Sequence, residues 1–168
     1  SLGSLSFSLV GTWLDKLYTD NGVSVPYDCA GFYGLQCGTP NPEWRHKARI
    51  SFTGADGLGL SVQWRYFSAV DVDRASDNPT LTGPYAPFNE TIPSQSYFDL
   101  TLTARIGDHY NFRLGVNNIF DRDPPIIGAN GGNTIINACP AVVCSGNTFP
   151  NVYDAMGRYI FAGVTLDF

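Results

Sequence analysis

The sequence predicts an all-β chain, a transmembrane antiparallel β-barrel meander with long extracellular loops and short periplasmic turns. Three observations point there. Six stretches alternate apolar and polar residues with period two, the signature of strands with two unlike faces. The connections between them alternate long and short. Charged residues make up only 15% of the chain while aromatics reach 14%, against the roughly 25% charged residues of soluble domains. No apolar run approaches the roughly 18 residues of a membrane-spanning helix. Strands apolar on one face only suit a membrane barrel. A secreted β-sandwich shares the composition, so the length of the strands and the pattern of connections must decide.

The first alternating stretch, 4–14, puts Leu5, Phe7, Leu9 and Trp13 on one face and Ser4, Ser6, Ser8 and Thr12 on the other. Stretch 44–54 sets Trp44, Ala48, Ile50 and Phe52 against Arg45, Lys47, Arg49, Ser51 and Thr53. In 58–68, Leu58, Leu60, Val62, Trp64 and Tyr66 oppose Gly59, Ser61, Gln63 and Arg65. In 96–106, Phe98, Leu100, Leu102, Ala104 and Ile106 oppose Asp99, Thr101, Thr103 and Arg105. Stretch 109–119 sets Tyr110, Phe112, Leu114 and Val116 against Asn111, Arg113, Gly115 and Asn117. The last, 158–168, sets Ile160, Ala162, Val164, Leu166 and Phe168 against Tyr159, Gly163, Thr165 and Asp167. Each is as long as the roughly 9–11 residues a tilted strand needs to cross a bilayer, and longer than the usual 5–6 of soluble strands.

The connections 15–43, 69–95 and 120–157 are long, whereas Ala55-Asp56-Gly57 and Gly107-Asp108 are tight turns built from residues that tolerate positive φ. Outer-membrane barrels show this asymmetry, with short periplasmic turns and long extracellular loops. The tight turns and the last residue then lie on one side, and the three long loops on the other. Trp13, Trp44, Tyr66 and Tyr159 fall near loop ends of strands, and Tyr110 and Phe168 near turn ends, as an aromatic girdle requires. His46 interrupts an apolar face beside Trp44 and reads as an interfacial residue.

The net charge of -5 argues against nucleic acid, which needs a basic surface. The chain opens Ser1-Leu2-Gly3-Ser4-Leu5, already alternating, so a leader peptide is expected to have been removed or the start to be internal. Four cysteines form two close pairs in Gly/Pro/Asn-rich loops, Cys29/Cys37 and Cys139/Cys144. Four allow three connectivities, and proximity favours the local one. Disulfides outside the cell fit better than zinc, whose structural sites use tighter spacing. Asp121 and Asp123 suggest calcium only superficially. Too few spaced oxygen ligands accompany them, and Asp with Pro124-Pro125 makes a strand-ending turn.

The run Leu114-Gly115-Val116-Asn117-Asn118-Ile119-Phe120-Asp121-Arg122-Asp123-Pro124-Pro125 resembles the penultimate strand of TonB-dependent outer-membrane receptors. Tyr153-Asp154-Ala155-Met156-Gly157-Arg158-Tyr159, with a strand closing on Phe168, resembles that family's terminal strand. The Tyr27-Asp28-Cys29 to Cys37-Gly38-Thr39-Pro40-Asn41-Pro42 loop, followed by Trp44-Arg45-His46-Lys47, looks like a subgroup with a disulfide there. The resemblance spans nearly the whole chain. It implies the C-terminal strands of a barrel of about 22 strands, with the plug domain, the TonB-contacting segment and the earlier strands lying elsewhere.

The implied activity is active uptake of a scarce nutrient: a siderophore, vitamin, saccharide or peptide. Implied partners are the plug and upstream strands of the same receptor, the TonB complex, outer-membrane lipid, the barrel-assembly machinery reading Phe168, and a small-molecule or oligomeric substrate. No catalytic residue, metal or cofactor is implied. Arg45, Lys47, Arg49, Arg65, Asp99, Arg105, Arg113 and Asp167 are expected on the lumen, facing plug or substrate, or simply hydrated. The rival readings are a small outer-membrane barrel enzyme, a protease or lipase, which would need a clustered nucleophile and base, and a secreted adhesion sandwich. The two histidines fall at opposite ends of the expected strands, which weakens the enzyme.

Overall fold

The six alternating stretches form one antiparallel sheet, and each pairs with its neighbour along the chain. The computed structural model describes residues 3–107, 109–128, 139 and 144–167. In chain order the strands are β1 (Gly3–Trp13), β2 (Tyr18–Thr19), β3 (Tyr27–Asp28), β4 (Phe32–Tyr33), β5 (Trp44–Gly54), β6 (Leu58–Phe67), β7 (Val70–Val72), β8 (Thr91–Ile92), β9 (Gln95–Ile106), β10 (Tyr110–Asn117) and β11 (Tyr159–Leu166). The long sheet runs β1-β5-β6-β9-β10-β11. Among the described residues β1 and β11 stand at its two ends and do not pair with each other.

Register carries the two-faced pattern across all six strands. Leu5 pairs Phe52, Phe52 pairs Leu60, Leu60 pairs Leu102, Leu102 pairs Leu114 and Leu114 pairs Ala162. Directly opposite residues share a face, so this row is apolar from edge to edge. One residue over, Ser4 pairs Thr53, Thr53 pairs Gly59, Gly59 pairs Thr103, and Thr103 pairs Arg113. A slip of one residue anywhere would mix the faces. The apolar face is left open: Leu5 is 73% exposed, Ile160 71% and Leu102 47%. Ordinary sheet proteins bury that face.

Two glycines accommodate bulky neighbours. A Cβ on Gly115 would lie 2.2 Å from the Phe161 ring across the strand pair, and one on Gly11 would lie 2.4 Å from the Trp44 ring. Each ring covers bare backbone, an arrangement that steadies glycine within strands. The first tight turn closes by the Gly57 N–H donating to the Gly54 carbonyl at 3.2 Å, with Gly57 at φ 83°. The second runs through Gly107 at φ 60°; Asp108 lies outside the described residues. β10 ends two residues before the expected bound because Asn118 takes φ 52°, which no strand continues through.

The three long connections do not behave as separate loops. They knit into a second core of Tyr33, Val70, Val72, Ile92, Ile127, Cys139, Phe149 and Tyr153. β4 of the first loop lies parallel to β7 of the second, and β7 pairs antiparallel with β8. Asn89 ties the second loop to the third, donating to the Gly128 carbonyl and accepting from the Gly128 N–H, both at 2.8 Å. Tyr33 donates to the Asn89 carbonyl, and its ring meets Phe149 edge-on at 5.8 Å. Long surface loops with so many backbone groups need such pairing to be stable when buried.

Asp73 sits fully buried in this package. One of its oxygens accepts the Gln36 N–H at 2.7 Å and the Cys37 N–H at 3.1 Å, which fixes the disulfide loop against β7. The other oxygen has no hydrogen-bond partner. Burial raises the Asp73 carboxyl above the usual range, the N–H donors opposing this only in part. A raised carboxyl favours the protonated fold. The loop package is therefore most stable below about pH 4, the unfolded value, and loses that stability as pH rises through the raised one. Asp73→Asn is expected to flatten this dependence in thermal melts taken across pH. Asp73→Ala, removing the acceptor of the Gln36 and Cys37 N–H groups, is expected to cost about 1–3 kcal/mol.

Candidate functional site: the polar face and its loop cap

The polar face is a cationic wall with one acid in it. Arg45, Lys47 and Arg49 come from β5, Arg65 from β6, Arg105 and Asp99 from β9, and Arg113 from β10. Pairing puts all seven on one face: Arg49 opposes Ser8 and Gln63, Lys47 opposes Val10 and Arg65, Gln63 opposes Asp99, and Arg105 opposes Asn111. The chain is acidic overall, yet its acids concentrate in the loops and turns. The strands thus carry a charge opposite to that of the whole molecule.

Asp99 is the hub. It is 7% exposed. It accepts from Arg65 through both oxygens at 2.8 and 2.9 Å, from Gln63 at 3.1 Å and from the Asn118 N–H at 3.0 Å. Gln63 in turn accepts from Arg49 at 2.6 Å. Arg65 also donates from Nη2 to Asp154 of the third loop at 2.9 Å, and its guanidinium lies 5.1 Å from the centre of the Tyr97 ring. A bidentate Arg–carboxylate pair fixes orientation as well as charge. The network therefore ties β5, β6, β9 and the third loop into one piece. Phe67 and Tyr153 pack edge-on at 5.9 Å beside it. The loop package thus sits on the polar face at its loop end. Arg113 lies over Phe161, 5.2 Å from the ring centre.

The two motifs that carry the family resemblance touch each other. Asn118, buried and at positive φ, donates to the Arg122 carbonyl and accepts the Arg122 N–H, both at 2.9 Å. That closes a turn which presents Asp121. Asp121 accepts the Arg158 N–H at 2.7 Å and faces the Arg158 guanidinium at 3.7 Å, locking the start of β11 to the end of β10. Gly157 leaves room here, since a Cβ would lie 3.0 Å from an Asp121 oxygen. Tyr153 fills the loop core and Asp154 holds Arg65. Asn118 and Asp121 lie in the turn that the sequence expected to end this strand, whereas the role of Asp154 and the Asp121–Arg158 link were not assigned from the sequence. The only signal for these links was polar residues placed at strand ends.

On the apolar face, an aromatic cluster marks the loop end. His46 accepts from the Trp44 indole at 2.9 Å, stacks on Tyr66 at 5.2 Å and meets Trp64 edge-on at 4.5 Å. Phe98 continues the row to Phe120. Tyr159 pairs with Asn117 and so faces the polar side, as its parity predicts, which removes it from the girdle grouping with Trp13, Trp44 and Tyr66. The cysteines pair locally, Cys29 with Cys37 and Cys139 with Cys144, with Cα atoms 5.4 Å apart in each. Among the described residues no group of His, Cys, Asp or Glu gathers to hold a metal. Phe168, expected to be an assembly signal, lies outside the described residues. Compared with protein-family models, curated proteins and solved structures, the chain matches none.

The hub yields a graded expectation. Asp99→Ala leaves Arg65 half-buried with one carboxylate and should cost about 3–5 kcal/mol in urea unfolding. Asp154→Ala should cost less. Its mark should be faster proteolysis within 120–157, with the sheet's unfolding midpoint nearly unchanged. Equal effects of the two substitutions would show that Asp99 is not the hub.

Proposed function

We propose that this chain is barrel wall and extracellular loops of a TonB-dependent outer-membrane receptor, importing a scarce nutrient. The observation that carries the membrane part is the edge-to-edge apolar face, exposed on six strands that, with the exception of β10 and β11, are 10–12 residues long. Lipid is the medium that such a face fits: a barrel apolar outside and polar within. In this reading the aromatic row around His46 lies at the headgroup level and the loop package faces outward.

In lipid an open sheet edge costs several kcal/mol for each unpaired backbone group. The free edges of β1 and β11 are therefore assigned to pairing with further barrel strands of the same receptor. The polar face then lines the lumen, where Arg49, Arg105 and Arg113 meet the plug or passing substrate. The receptor part rests on the two C-terminal motifs and on the way Asp121 and Arg158 join them. Energy for uptake would reach the plug through TonB. The wall itself binds and guides, and makes no covalent step.

Expressed with an export signal, the protein should fractionate with outer membranes and require detergent for extraction. Leu102→Arg, on the apolar face near mid-strand, should cost about 2–4 kcal/mol in vesicles. Thr103→Arg, one residue along and on the polar face, should cost far less. Soluble protein in the absence of detergent, or equal costs for the two substitutions, would sink the membrane reading.

A further inference from the structure

Most cations of the polar face have partners. Arg49 holds Gln63, Arg65 holds Asp99 and Asp154, and Arg113 covers Phe161. The side chains of Arg45 and Lys47, two residues apart on β5, make no hydrogen bond or ion pair among the described residues. Both line a cavity of about 460 Å³ between the loop end of the sheet and the third loop. That size lies within the roughly 300–1,000 Å³ of small-molecule sites. Arg65 forms its inner cationic wall, while Val10, Phe67 and Val152 supply apolar surface. Among the described residues no Asp or Glu lines the cavity.

We propose that this cavity is a subsite for an organic carboxylate, with Arg45 and Lys47 as its anion-binding pair. The planar Arg45 fork suits a carboxylate held through two parallel hydrogen bonds, and Lys47 adds a point charge. The apolar wall accommodates a carbon skeleton, which a bare inorganic anion lacks. Arg65 is already neutralised by two acids, so it shapes the pocket while the unpaired pair supplies the attraction. Assigning the bound acid as cargo rests on the receptor reading above; the binding site itself does not.

The test uses the detergent-purified protein with para-fluorobenzoate as probe, observed by fluorine NMR, and its neutral amide as counterpart. The acid should bind and the amide should not. Arg45→Gln with Lys47→Gln should weaken the acid at least tenfold. Lys47→Arg alone, which keeps the Arg45 fork and both charges, should bind the acid to within about threefold of the unchanged protein, a result that a misfolded protein cannot give. Lys16→Gln, in a loop, should change nothing. Inorganic phosphate in excess should displace the probe only weakly. No binding of the acid, equal binding of acid and amide, or unchanged affinity in the double glutamine variant would overturn the site. A cavity filled by an acidic segment of the same receptor gives the first of these results. Membrane fractionation is read separately: acid binding by a protein recovered without detergent would contradict the receptor and uphold the subsite.

Discussion

Everything in this molecule is arranged around a sheet whose apolar side has no cover of its own. Fully burying one large apolar side chain contributes about 1.5–3 kcal/mol, and six strands here leave theirs exposed on one face, in rows such as Leu5, Phe52, Leu60, Leu102, Leu114 and Ala162. A soluble monomer rarely exposes a contiguous apolar patch beyond roughly 300–600 Å². The loops gather instead on the polar face, which a sandwich would leave to water. In the proposed membrane reading, long strands, this register and a low content of charge serve one requirement, that a non-aqueous surrounding complete the hydrophobic contacts.

On the opposite side, the requirement is to hold polar groups without water access at the loop end. Asp99 meets it by serving Arg65, Gln63 and the Asn118 N–H together. Because Arg65 also reaches Asp154, the geometry of the wall is passed directly to the third loop. The loop core of Tyr33, Phe149 and Tyr153 then links that loop to the first two. The cap is thus a packed body resting on the wall, stapled by two disulfides, and the cationic cavity lies at the seam between them.

Strands were the most legible part of the sequence, because period two is a local property. β5 keeps the expected bounds, 44–54, at both ends, and the other long strands differ by one or two residues. The shortfall of β10 comes from Asn118, whose positive φ no alternation pattern reveals. Local cysteine pairing was also readable, since short separations restrict the choices. The loop core was not. β4 pairs with β7 across some forty residues of chain, and neither Phe32-Tyr33 nor Val70-Asp71-Val72 is long enough to show a period. The hub at Asp99 escaped for the same reason: sequence showed a polar face, while its partners Asp154 and Asn118 arrive from a turn and a loop. Tyr159 was placed on the polar face by its parity, as the register bears out, and only its grouping with the girdle aromatics, read from its position near a strand end, fails.

The membrane-facing assignment is tested most directly by nitroxide labels placed singly at Leu100, Thr101, Leu102, Thr103 and Ala104 in reconstituted vesicles. Accessibility to oxygen, which concentrates in lipid, is compared with accessibility to a water-soluble nickel chelate. The account predicts alternation with period two: oxygen favoured at Leu100, Leu102 and Ala104, and the chelate or a buried signal at Thr101 and Thr103. Uniform access to the chelate, or alternation in the opposite phase, would contradict it.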